Sequence, residues 1–454
     1  MADMDRSGLP VDNPTKSYWL RDPSKILLGH RTTEDLPQSA DVVIVGSGIT
    51  GAFAAHCLKE IAPELNIMIL EAREACSGAT GRNGGHCQPA YYNCPPHIAA
   101  FEHQTYSYMK ELVESLSIPC DWHVTTGVHG FYSLELFNTS KKVIEKIQKN
   151  HPDIGAHIAV VTEERELGSL RVSPAEGAVV QQNAGSLSPY KLVAFLLERL
   201  VEAGLNLQTN TPVTSLRSSP GTGWTVSTPR GDVSARHVLL ATNAYTSHLL
   251  PQFADIIVPV KGQVSSLKPR SGLDIGHTFY FASDLEVRRD DYLIQTPNGE
   301  LIYGGGRIRA DGHGLGNWDD STIDVEVAQY LRDELGGLMN LSIDLQKQDL
   351  QKQLEPTFEW AGIMGFSRDG WPWVGAVPES AGGGDGLWLC AAYTGGGMPN
   401  AALCAKAVAS MMVGKGVDLP PEYILTEDRL ATARTGETIA EADKRAAFML
   451  DLSD

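Results

Sequence analysis

A glycine-rich turn that directly follows an apolar strand constrains the fold of this chain more than any other feature. Residues 41–51 read DVVIVGSGITG, which places Gly46, Gly48 and Gly51 in the spacing GxGxxG. The first glycine of this motif makes a tight turn, the second lets the backbone approach a pyrophosphate, and the third lets the next helix pack closely. Glu71 ends a second apolar run, where an acid accepts hydrogen bonds from a ribose hydroxyl. This order predicts a βαβ unit that binds a dinucleotide.

The elements of this unit follow from its local pattern. We predict a strand over 41–45, an alanine-rich helix over 49–61 and a second strand over 66–71, with Pro63 at the break between helix and strand. The predicted contacts of the unit with the dinucleotide are Gly46, Ser47, Gly48, Ile49, Thr50, Gly51, Glu71, Ala72 and Arg73.

The composition indicates a globular enzyme and excludes two classes of partner. The chain has 454 residues, 42% of them hydrophobic, and this length suits about two or three compact units. Asp and Glu number 55 against 37 Lys and Arg, so the formal net charge is −18. Without a local basic patch, such a surface repels nucleic acid and anionic membranes, so we expect neither as a partner. No apolar stretch approaches the length of a membrane span.

The cysteines and the two ends of the chain bear on its location. The seven cysteines form no CxxC pair, and their odd number favours a reducing compartment. The first forty residues are polar and lack a hydrophobic signal core. Residues 451–454 lack the Ser-Lys-Leu type of peroxisomal address, although import by another signal stays open. We therefore expect a cytoplasmic protein, and we make no prediction of its oligomeric state.

Further along the chain, the apolar patterns predict elements outside the first unit. Residues 97–116 have a helical pattern, residues 127–136 alternate like a strand, and residues 188–204 form an amphipathic helix. A strand-rich region extends from about residue 256 to 305. Near the end, a strand over 387–391 leads through a glycine turn into an alanine-rich helix, which resembles the first unit but lacks its acid. We interpret it as a helix N-terminus that faces a ligand.

Several motifs together resemble one family. Beside the first glycine turn and Glu71, they are residues 78–85 (GATGRNGG), 240–243 (LATN), 259–263 (PVKGQ), 369–372 (DGWP) and 393–398 (YTGGGM). Over almost the whole chain they resemble the FAD-dependent oxidoreductases of the D-amino-acid oxidase and glycine/sarcosine oxidase type. The Arg-Asn-Gly-Gly loop is most similar to the branch that includes gamma-glutamylputrescine oxidase.

The resemblance implies an α/β fold in which a Rossmann-like FAD-binding domain is interleaved with an α+β substrate domain built on an antiparallel sheet. The predicted ranges are an N-terminal extension over 1–40, an FAD-binding domain over 41–95, 155–250 and 355–454, and a substrate-binding domain over 96–154 and 251–354. The further FAD contacts that it implies are Thr80, Gly81, Arg82, Asn83, Gly84, Gly85, His86, Val213, Ala241, Thr242, Asn243, Thr394, Gly395, Gly396, Gly397 and Met398.

The reaction that the resemblance implies is oxidation of a carbon–nitrogen bond in a small amine or amino acid. Hydride would pass to the flavin, the imine would hydrolyse, and dioxygen would reoxidise the flavin and give hydrogen peroxide. Three alternatives stay open at this point: an NAD-dependent dehydrogenase, an FAD-dependent dehydrogenase of a hydroxy acid, and a flavoprotein without turnover. No metal-ligand spacing is present, so we predict no metal.

Four residues are candidates for the chemistry. Some oxidases of this kind use a cation above the flavin to activate oxygen, and Arg307 and Lys261 are the candidates here. Tyr280 and Trp371 are candidates for an aromatic cage around the amine. These assignments predict that all four side chains lie at the same cavity.

Covalent attachment of the flavin is a separate question. Relatives often carry a linking cysteine shortly before the segment at Asp369, but this chain has no cysteine between Cys120 and Cys390. Attachment at that position is therefore excluded. His86 and Cys87 lie on the glycine loop and could form a link, although an ordinary loop role is the simpler interpretation.

Overall fold

Two large β-sheets organise the computed structural model of the chain, which describes residues 6–219, 221, 223–283, 289–345 and 354–444. Residues 1–5 of the predicted N-terminal extension and residues 445–454, with the C-terminal tetrapeptide, lie outside the described residues. The strands are β1 (Ser39–Val45), β2 (Ile67–Leu70), β3 (His86–Cys87), β4 (His123–Phe131), β5 (Ile158–Val161), β6 (Gly177–Ser186), β7 (Asn206–Gln208), β8 (Ser215–Ser219), β9 (Gly223–Thr228), β10 (Gly231–Leu240), β11 (Ile257–Lys268), β12 (Thr278–Ser283), β13 (Arg289–Gln295), β14 (Leu301–Gly304), β15 (Glu355–Ser367), β16 (Trp373–Ala376) and β17 (Leu387–Ala391).

The helices cover these sheets and connect their strands. They are α1 (Ile49–Ile61), α2 (Pro96–Leu116), α3 (Leu134–Asn150), α4 (Pro152–Gly155), α5 (Glu164–Ser169), α6 (Pro189–Glu202), α7 (Thr246–Leu249), α8 (Val325–Asp333), α9 (Leu335–Leu338), α10 (Ala401–Met412), α11 (Glu427–Thr435) and α12 (Ile439–Lys444). Within the described part of the chain, we find no helix with the length and apolar character that crossing a bilayer would need.

The first sheet contains the glycine fingerprint. Its strand order is β16-β17-β10-β1-β2-β7, and β1 pairs in parallel with both β10 and β2. Alternate β1 residues face two different cores. Val42 and Ile44 pack into the cluster that includes α1, α6 and α10, whereas Val43 and Val45 pack against the β8–β9 side. Because both faces are covered, the strand is almost continuously apolar, as parallel strands usually are.

The second sheet has the order β15-β11-β14-β13-β12-β4-β6-β3, with β5 paired to β6. All of its pairs are antiparallel except that between β4 and β12, which is parallel. Its longest ladder joins β11 to β15, from Ile257 opposite Ser367 to Lys268 opposite Glu355. The predicted α/β fold class is confirmed: a sheet with a parallel, Rossmann-like centre accompanies a largely antiparallel sheet.

The sheets divide the sequence differently from the predicted ranges. Four strands, β3, β5, β6 and β15, belong to the second sheet, although their residues fall in ranges predicted for FAD binding. The strand β15 pairs with β11 and β6 pairs with β4, both distant in sequence, and β5 joins the sheet by pairing with β6. Local sequence patterns do not reveal such distant partners. The assignment of the two domains to cofactor and substrate stays a prediction.

The predicted strand over 127–136 is wrong at its C-terminal end. The strand β4 ends at Phe131, and the helix α3 begins at Leu134. Ser133 caps this helix, because its hydroxyl accepts a hydrogen bond from the Leu136 amide, and Glu135 lies in the first turn, where the helix dipole favours an acid. The capping signal therefore overrides the alternation that suggested a longer strand.

Candidate active site

A cavity of about 1110 Å³ lies between the two sheets. It exceeds the roughly 300–1,000 Å³ that is usual for a small-molecule pocket, so it has room for a large cofactor and a substrate. Of the predicted FAD contacts, Gly51, Gly81 and Gly85 do not line it. Those that do are Gly46, Ser47, Gly48, Ile49, Thr50, Glu71, Ala72, Arg73, Thr80, Arg82, Asn83, Gly84, His86, Val213, Ala241, Thr242, Asn243, Thr394, Gly395, Gly396, Gly397 and Met398.

The fingerprint turn opens the N-terminus of α1 to this cavity. Gly46 has a φ of 108°, a conformation that side chains other than glycine rarely adopt. A Cβ atom at Gly51 would lie 2.0 Å from the Gly46 carbonyl oxygen, so Gly51 is the point of closest contact between helix and turn. The first amides of a helix lack partners within the helix and attract anions. Among these first amides of α1 in the described chain, only the Ile49 amide donates a hydrogen bond to a side chain, the Thr80 hydroxyl, at 3.0 Å.

Glu71 is held by the chain itself at the edge of the cavity. One carboxylate oxygen accepts hydrogen bonds from the amide and hydroxyl of Ser47, at 2.9 and 2.6 Å, and the other accepts from the Arg73 amide at 3.0 Å. An ionised carboxylate has about four acceptor positions. Glu71 therefore retains capacity for a ribose hydroxyl while it fixes the fingerprint turn.

Arg82 fixes the glycine loop that follows, residues 77–87. Its guanidinium donates to the carbonyl oxygens of Ser77, Ala361 and Thr15, each at 2.8 Å. The Arg82 carbonyl in turn accepts a hydrogen bond from the Trp360 indole at 2.7 Å. Only a short 3₁₀ turn over Ala79–Arg82 and the two residues of β3 are regular in this loop, so the bonds to Thr15, Ala361 and Trp360 fix the rest of it.

A buried carboxylate, Asp320, neutralises part of the charge of two arginines in this region. It is 1% exposed and binds the Arg73 guanidinium through both oxygens, at 2.9 and 3.1 Å, and approaches Arg82 at 3.3 Å. Burial lowers the pKa of Arg82 to about 10, and Asp320 acts in the opposite direction. Both guanidinium groups are thus bound to the protein. Contact of Arg73 or Arg82 with the cofactor would therefore involve backbone atoms or the aliphatic part of the side chain. The sequence contains no local signal for Asp320.

The predicted N-terminal extension is an integral part of the site. The Ser17 hydroxyl donates to the Gly81 carbonyl at 2.7 Å, and the Trp19 indole donates to the Asn83 carbonyl at 2.6 Å. Trp19 is 6% exposed. The extension therefore packs onto the loop at 77–87 and also contacts β15, because the Ala361 amide donates to the Thr15 hydroxyl at 2.9 Å.

The C-terminal glycine turn faces the fingerprint turn across the cavity wall. The Tyr393 hydroxyl and the Thr50 hydroxyl are 2.8 Å apart and share a hydrogen bond. Gly395 has a φ of 88°, and the turn leads to α10, whose N-cap is Asn400. The Asn400 amide donates to the Gly396 carbonyl at 2.9 Å. The turn over 394–399 therefore lines the cavity and leads into α10, whereas Asn400 and the first residues of α10 do not line it.

Three of the four catalytic candidates line the cavity: Tyr280, Trp371 and Arg307. Arg307 is 6% exposed, and its guanidinium donates to Asp443 at 2.6 Å and to the His313 carbonyl at 3.0 Å. Its charge is therefore already paired.

Lys261, the fourth candidate, does not line the cavity. Its ammonium group donates to the Thr322 hydroxyl at 3.0 Å. Burial lowers its pKa, while three carboxylates nearby, led by that of Asp319, act in the opposite direction. Electrostatic attraction to these carboxylates, which do not line the cavity, gives a physical reason why the Lys261 side chain lies outside it. We propose no catalytic role for Lys261.

A neutral histidine that we did not predict lies at the wall of the cavity. The Nε2 atom of His129 lies 2.8 Å from the Gln88 amide nitrogen and 2.9 Å from that of Gln181, so Nε2 accepts and Nδ1 carries the hydrogen. Nδ1 is 2.7 Å from the Tyr92 hydroxyl. Burial, with a smaller contribution from His86, lowers the pKa of His129 to about 3. The ring is therefore a fixed hydrogen-bond centre and cannot supply a proton at neutral pH.

His86 and Cys87 differ in their surroundings. The Nε2 atom of His86 is buried and has no hydrogen-bond partner among the described residues, and burial lowers the pKa of the ring to about 4. Burial raises the pKa of the Cys87 thiol, which keeps it protonated. A covalent link to the flavin through either residue stays a prediction.

Comparison with known proteins decides the family. Residues 41–411 match the family model described as "FAD dependent oxidoreductase". The chain belongs to this family. Among curated relatives, glycine oxidase of Pseudomonas aeruginosa is 25% identical, with 86% of this chain and 100% of that protein covered. Gamma-glutamylputrescine oxidoreductase of Escherichia coli is 22% identical, with 88% of this chain and 89% of that protein covered.

Solved structures share the same fold. The crystal structure of glycine oxidase from Geobacillus kaustophilus superposes with a TM-score of 0.70 at 20% identity, covering 86% of this chain and 99% of that chain. L-amino acid deaminase from Proteus vulgaris superposes with a TM-score of 0.70 at 19% identity, covering 90% of this chain and 99% of that chain. As a member of the FAD dependent oxidoreductase family, the chain is an enzyme of the amine and amino-acid oxidoreductase class. The prediction of FAD rather than NAD is confirmed.

The cavity of this oxidoreductase fits FAD on the evidence of its own residues. The open N-terminus of α1 suits a pyrophosphate, and the free capacity of Glu71 suits a ribose. At Gly84 a Cβ atom would lie 2.3 Å from the Tyr292 ring, so the loop beside the cavity has no space for a side chain there. In the described residues we find no group of three or more His, Cys, Asp and Glu side chains that could hold a metal ion.

The contact between Trp19 and the glycine loop gives a first prediction. The substitution Trp19→Phe keeps most of the ring but removes the donor to the Asn83 carbonyl, and a lost buried hydrogen bond costs about 1–3 kcal/mol. We expect a roughly tenfold rise in the dissociation constant of FAD, measured by reconstitution of the apoprotein. The matched control is Trp388→Phe, since Trp388 donates to His237 at 3.3 Å and does not line the cavity. Equal FAD affinity in the two variants would contradict the role of Trp19.

Proposed function

We propose that this enzyme oxidises a carbon–nitrogen bond in a small amine and that dioxygen is its electron acceptor. The observation that carries the proposal is that one cavity is lined by the N-terminus of α1, by the glycine turn that leads into α10, and by aromatic side chains that include Tyr280 and Trp371. The names of its relatives support the same chemistry, since they describe glycine, gamma-glutamylputrescine and L-amino acids as the compounds on which those proteins act.

The residues of the chain bind and orient the reactants. FAD, when bound, accepts the hydride, and its reoxidation by dioxygen yields hydrogen peroxide. The glycine turn over 394–398 and the α10 helix that follows it would stabilise negative charge that develops on the bound cofactor during reduction. The aromatic side chains exclude water and hold the carbon chain of the amine, which reacts in its uncharged form. The imine product then hydrolyses in water.

The pairing of Arg307 narrows the substrate class. A carboxylate next to the reacting carbon usually needs an arginine that can bind it through two hydrogen bonds. Arg307 is already bound to Asp443 and to the His313 carbonyl, so its guanidinium is not available to bind a substrate carboxylate through two hydrogen bonds. We therefore propose amines without an adjacent carboxylate as better substrates than α-amino acids.

The decisive experiment is anaerobic reduction of the bound flavin. We expect the purified enzyme to be yellow and its absorbance to bleach with an amine, with peroxide formed when air is admitted. The panel pairs each α-amino acid with the amine that lacks its carboxylate and includes N-methyl amino acids, polyamine derivatives and hydroxy acids. We expect the amine of each pair to bleach the flavin at least about tenfold faster, which corresponds to one lost ion pair.

Each alternative has its own result in this experiment. Bleaching by hydroxy acids alone would support the dehydrogenase alternative, and a flavin that no compound bleaches would support a flavoprotein without turnover. Bleaching without peroxide formation would contradict dioxygen as the acceptor. Acid precipitation shows in addition whether the flavin stays attached to the protein.

A further inference from the structure

A buried carboxyl group outside the cavity connects two segments of its wall. Glu102 lies on α2, is 7% exposed and does not line the cavity. One of its oxygens accepts a hydrogen bond from the Ala90 amide at 2.7 Å, and the other accepts from the Asn400 side-chain amide, also at 2.7 Å. Ala90 itself lines the cavity. One carboxyl group thus bridges the wall beside β3 and the start of α10.

Asn400 extends this bridge to the C-terminal glycine turn. The same amide nitrogen that donates to Glu102 donates to the Gly396 carbonyl at 2.9 Å. The Asn400 carbonyl oxygen accepts a hydrogen bond from the Tyr423 hydroxyl at 2.8 Å. Both ends of the amide are therefore used, so the orientation of Asn400 is fixed, and with it the position of the Gly396 carbonyl.

The surroundings of Glu102 supply hydrogen bonds but no positive charge. Burial, opposed by its bonds to Ala90 and Asn400, raises the pKa of Glu102 to about 7, and no cationic side chain of the described chain contributes. Burial also raises the pKa of every titratable side chain on which its charge acts, so these stay uncharged at neutral pH. They are Cys87, Tyr91, Cys94, Cys404 and Tyr423.

The two protonation states of Glu102 differ in the strength of these bonds. The carboxylate accepts from both donors with a full negative charge, and hydrogen bonds to a charged acceptor are roughly twice as strong as those to a neutral one. Protonation removes this charge and leaves a neutral acceptor. The bridge is consequently strongest when Glu102 is ionised.

We propose that Glu102 is a positioning residue of the FAD site: ionised, it holds the Ala90 backbone and, through Asn400, the Gly396 carbonyl in place, and its protonation weakens this hold. The proposal rests on FAD as the cofactor and not on the choice of substrate. By linkage, FAD favours the ionised form, so FAD binding releases a proton.

The test measures FAD binding as a function of pH with the full chain. In the wild type we expect the dissociation constant of FAD to fall about tenfold between about pH 6 and about pH 8, as expected for one hydrogen bond to a charged group. Where the flavin does not dissociate, the visible circular dichroism of the bound flavin is followed over the same range. The variant Glu102→Gln is expected to remain at the weak-binding value and to show no pH dependence in this window.

Two further variants separate positioning from general stability. Tyr423→Phe removes the donor to Asn400 but keeps Glu102, so it should weaken FAD binding and retain the pH dependence. Glu114→Gln, an exposed position on the same helix paired with Lys110, should change neither quantity. If Glu102→Gln does not fold, an infrared band of a protonated carboxyl group that disappears near neutral pH in the wild type, accompanied by proton release on FAD binding, supports the proposal. Wild-type binding that is independent of pH, or a pH dependence that persists in Glu102→Gln, would overturn it, while amine-dependent bleaching would be unaffected.

Discussion

Replacing Asp320 with alanine is expected to lower the free energy of unfolding by about 3–5 kcal/mol, because it leaves buried arginine charge without its partner. Asp320 is 1% exposed, and Arg73 and Arg82 are buried beside it. Since Arg82 also holds the loop at 77–87, we expect the variant to lose FAD at concentrations that saturate the wild type. Urea unfolding of the apoprotein and flavin content after gel filtration measure the two effects.

An exposed ion pair of the same kind provides the control. Arg217 and Asp232 are 2.8 Å apart, with side chains 65% and 52% exposed. Exposed pairs contribute less than about 1 kcal/mol, so Asp232→Ala should unfold close to the wild type and keep its flavin. If Asp232→Ala and Asp320→Ala lost similar amounts of unfolding free energy, burial would not determine the contribution of Asp320 to stability.

The second large effect is expected from Gly51→Ala. The added methyl group would lie 2.0 Å from the Gly46 carbonyl oxygen, and because this atom belongs to the backbone, the helix and the turn must separate. Forced overpacking costs about 1–3 kcal/mol or more. Here the displaced groups are those that we propose bind the pyrophosphate, so we expect FAD affinity to fall by at least about a hundredfold.

The control for this variant is Gly337→Ala. Gly337 lies in α9, and a Cβ atom there would meet nothing within 4 Å. Such a substitution is expected to be neutral or slightly stabilising. Reconstitution with FAD, followed by absorbance, compares the two variants. If Gly51→Ala bound FAD as tightly as the wild type, the close contact between α1 and the fingerprint turn would be contradicted.

The sequence predicted the parts of the site whose determinants are local. The helix over 49–61 agrees in both bounds with α1, because the glycine turn and the apolar period define it without help from the rest of the chain. The strand over 387–391 likewise agrees with β17. In such segments, propensity, period and capping favour the same structure.

What the sequence could not predict depends on distant partners. Arg82 was predicted as a cofactor contact because it lies on the glycine loop, but its guanidinium binds Thr15, Ala361 and Asp320. These positions are separated from Arg82 by long stretches of sequence, and only the folded chain brings them together. The same holds for Arg307, because its partner Asp443 lies 136 residues further along the chain.

The first sheet carries a consequence for how this protein is made. Its central strand β1 comes from the beginning of the chain, whereas β16 and β17 come from residues 373–391, and the turn at Gly395 follows only then. During synthesis, the N-terminal βαβ unit leaves the ribosome long before the strands that complete its sheet. The cofactor cavity is therefore complete only after the last glycine turn has been synthesised.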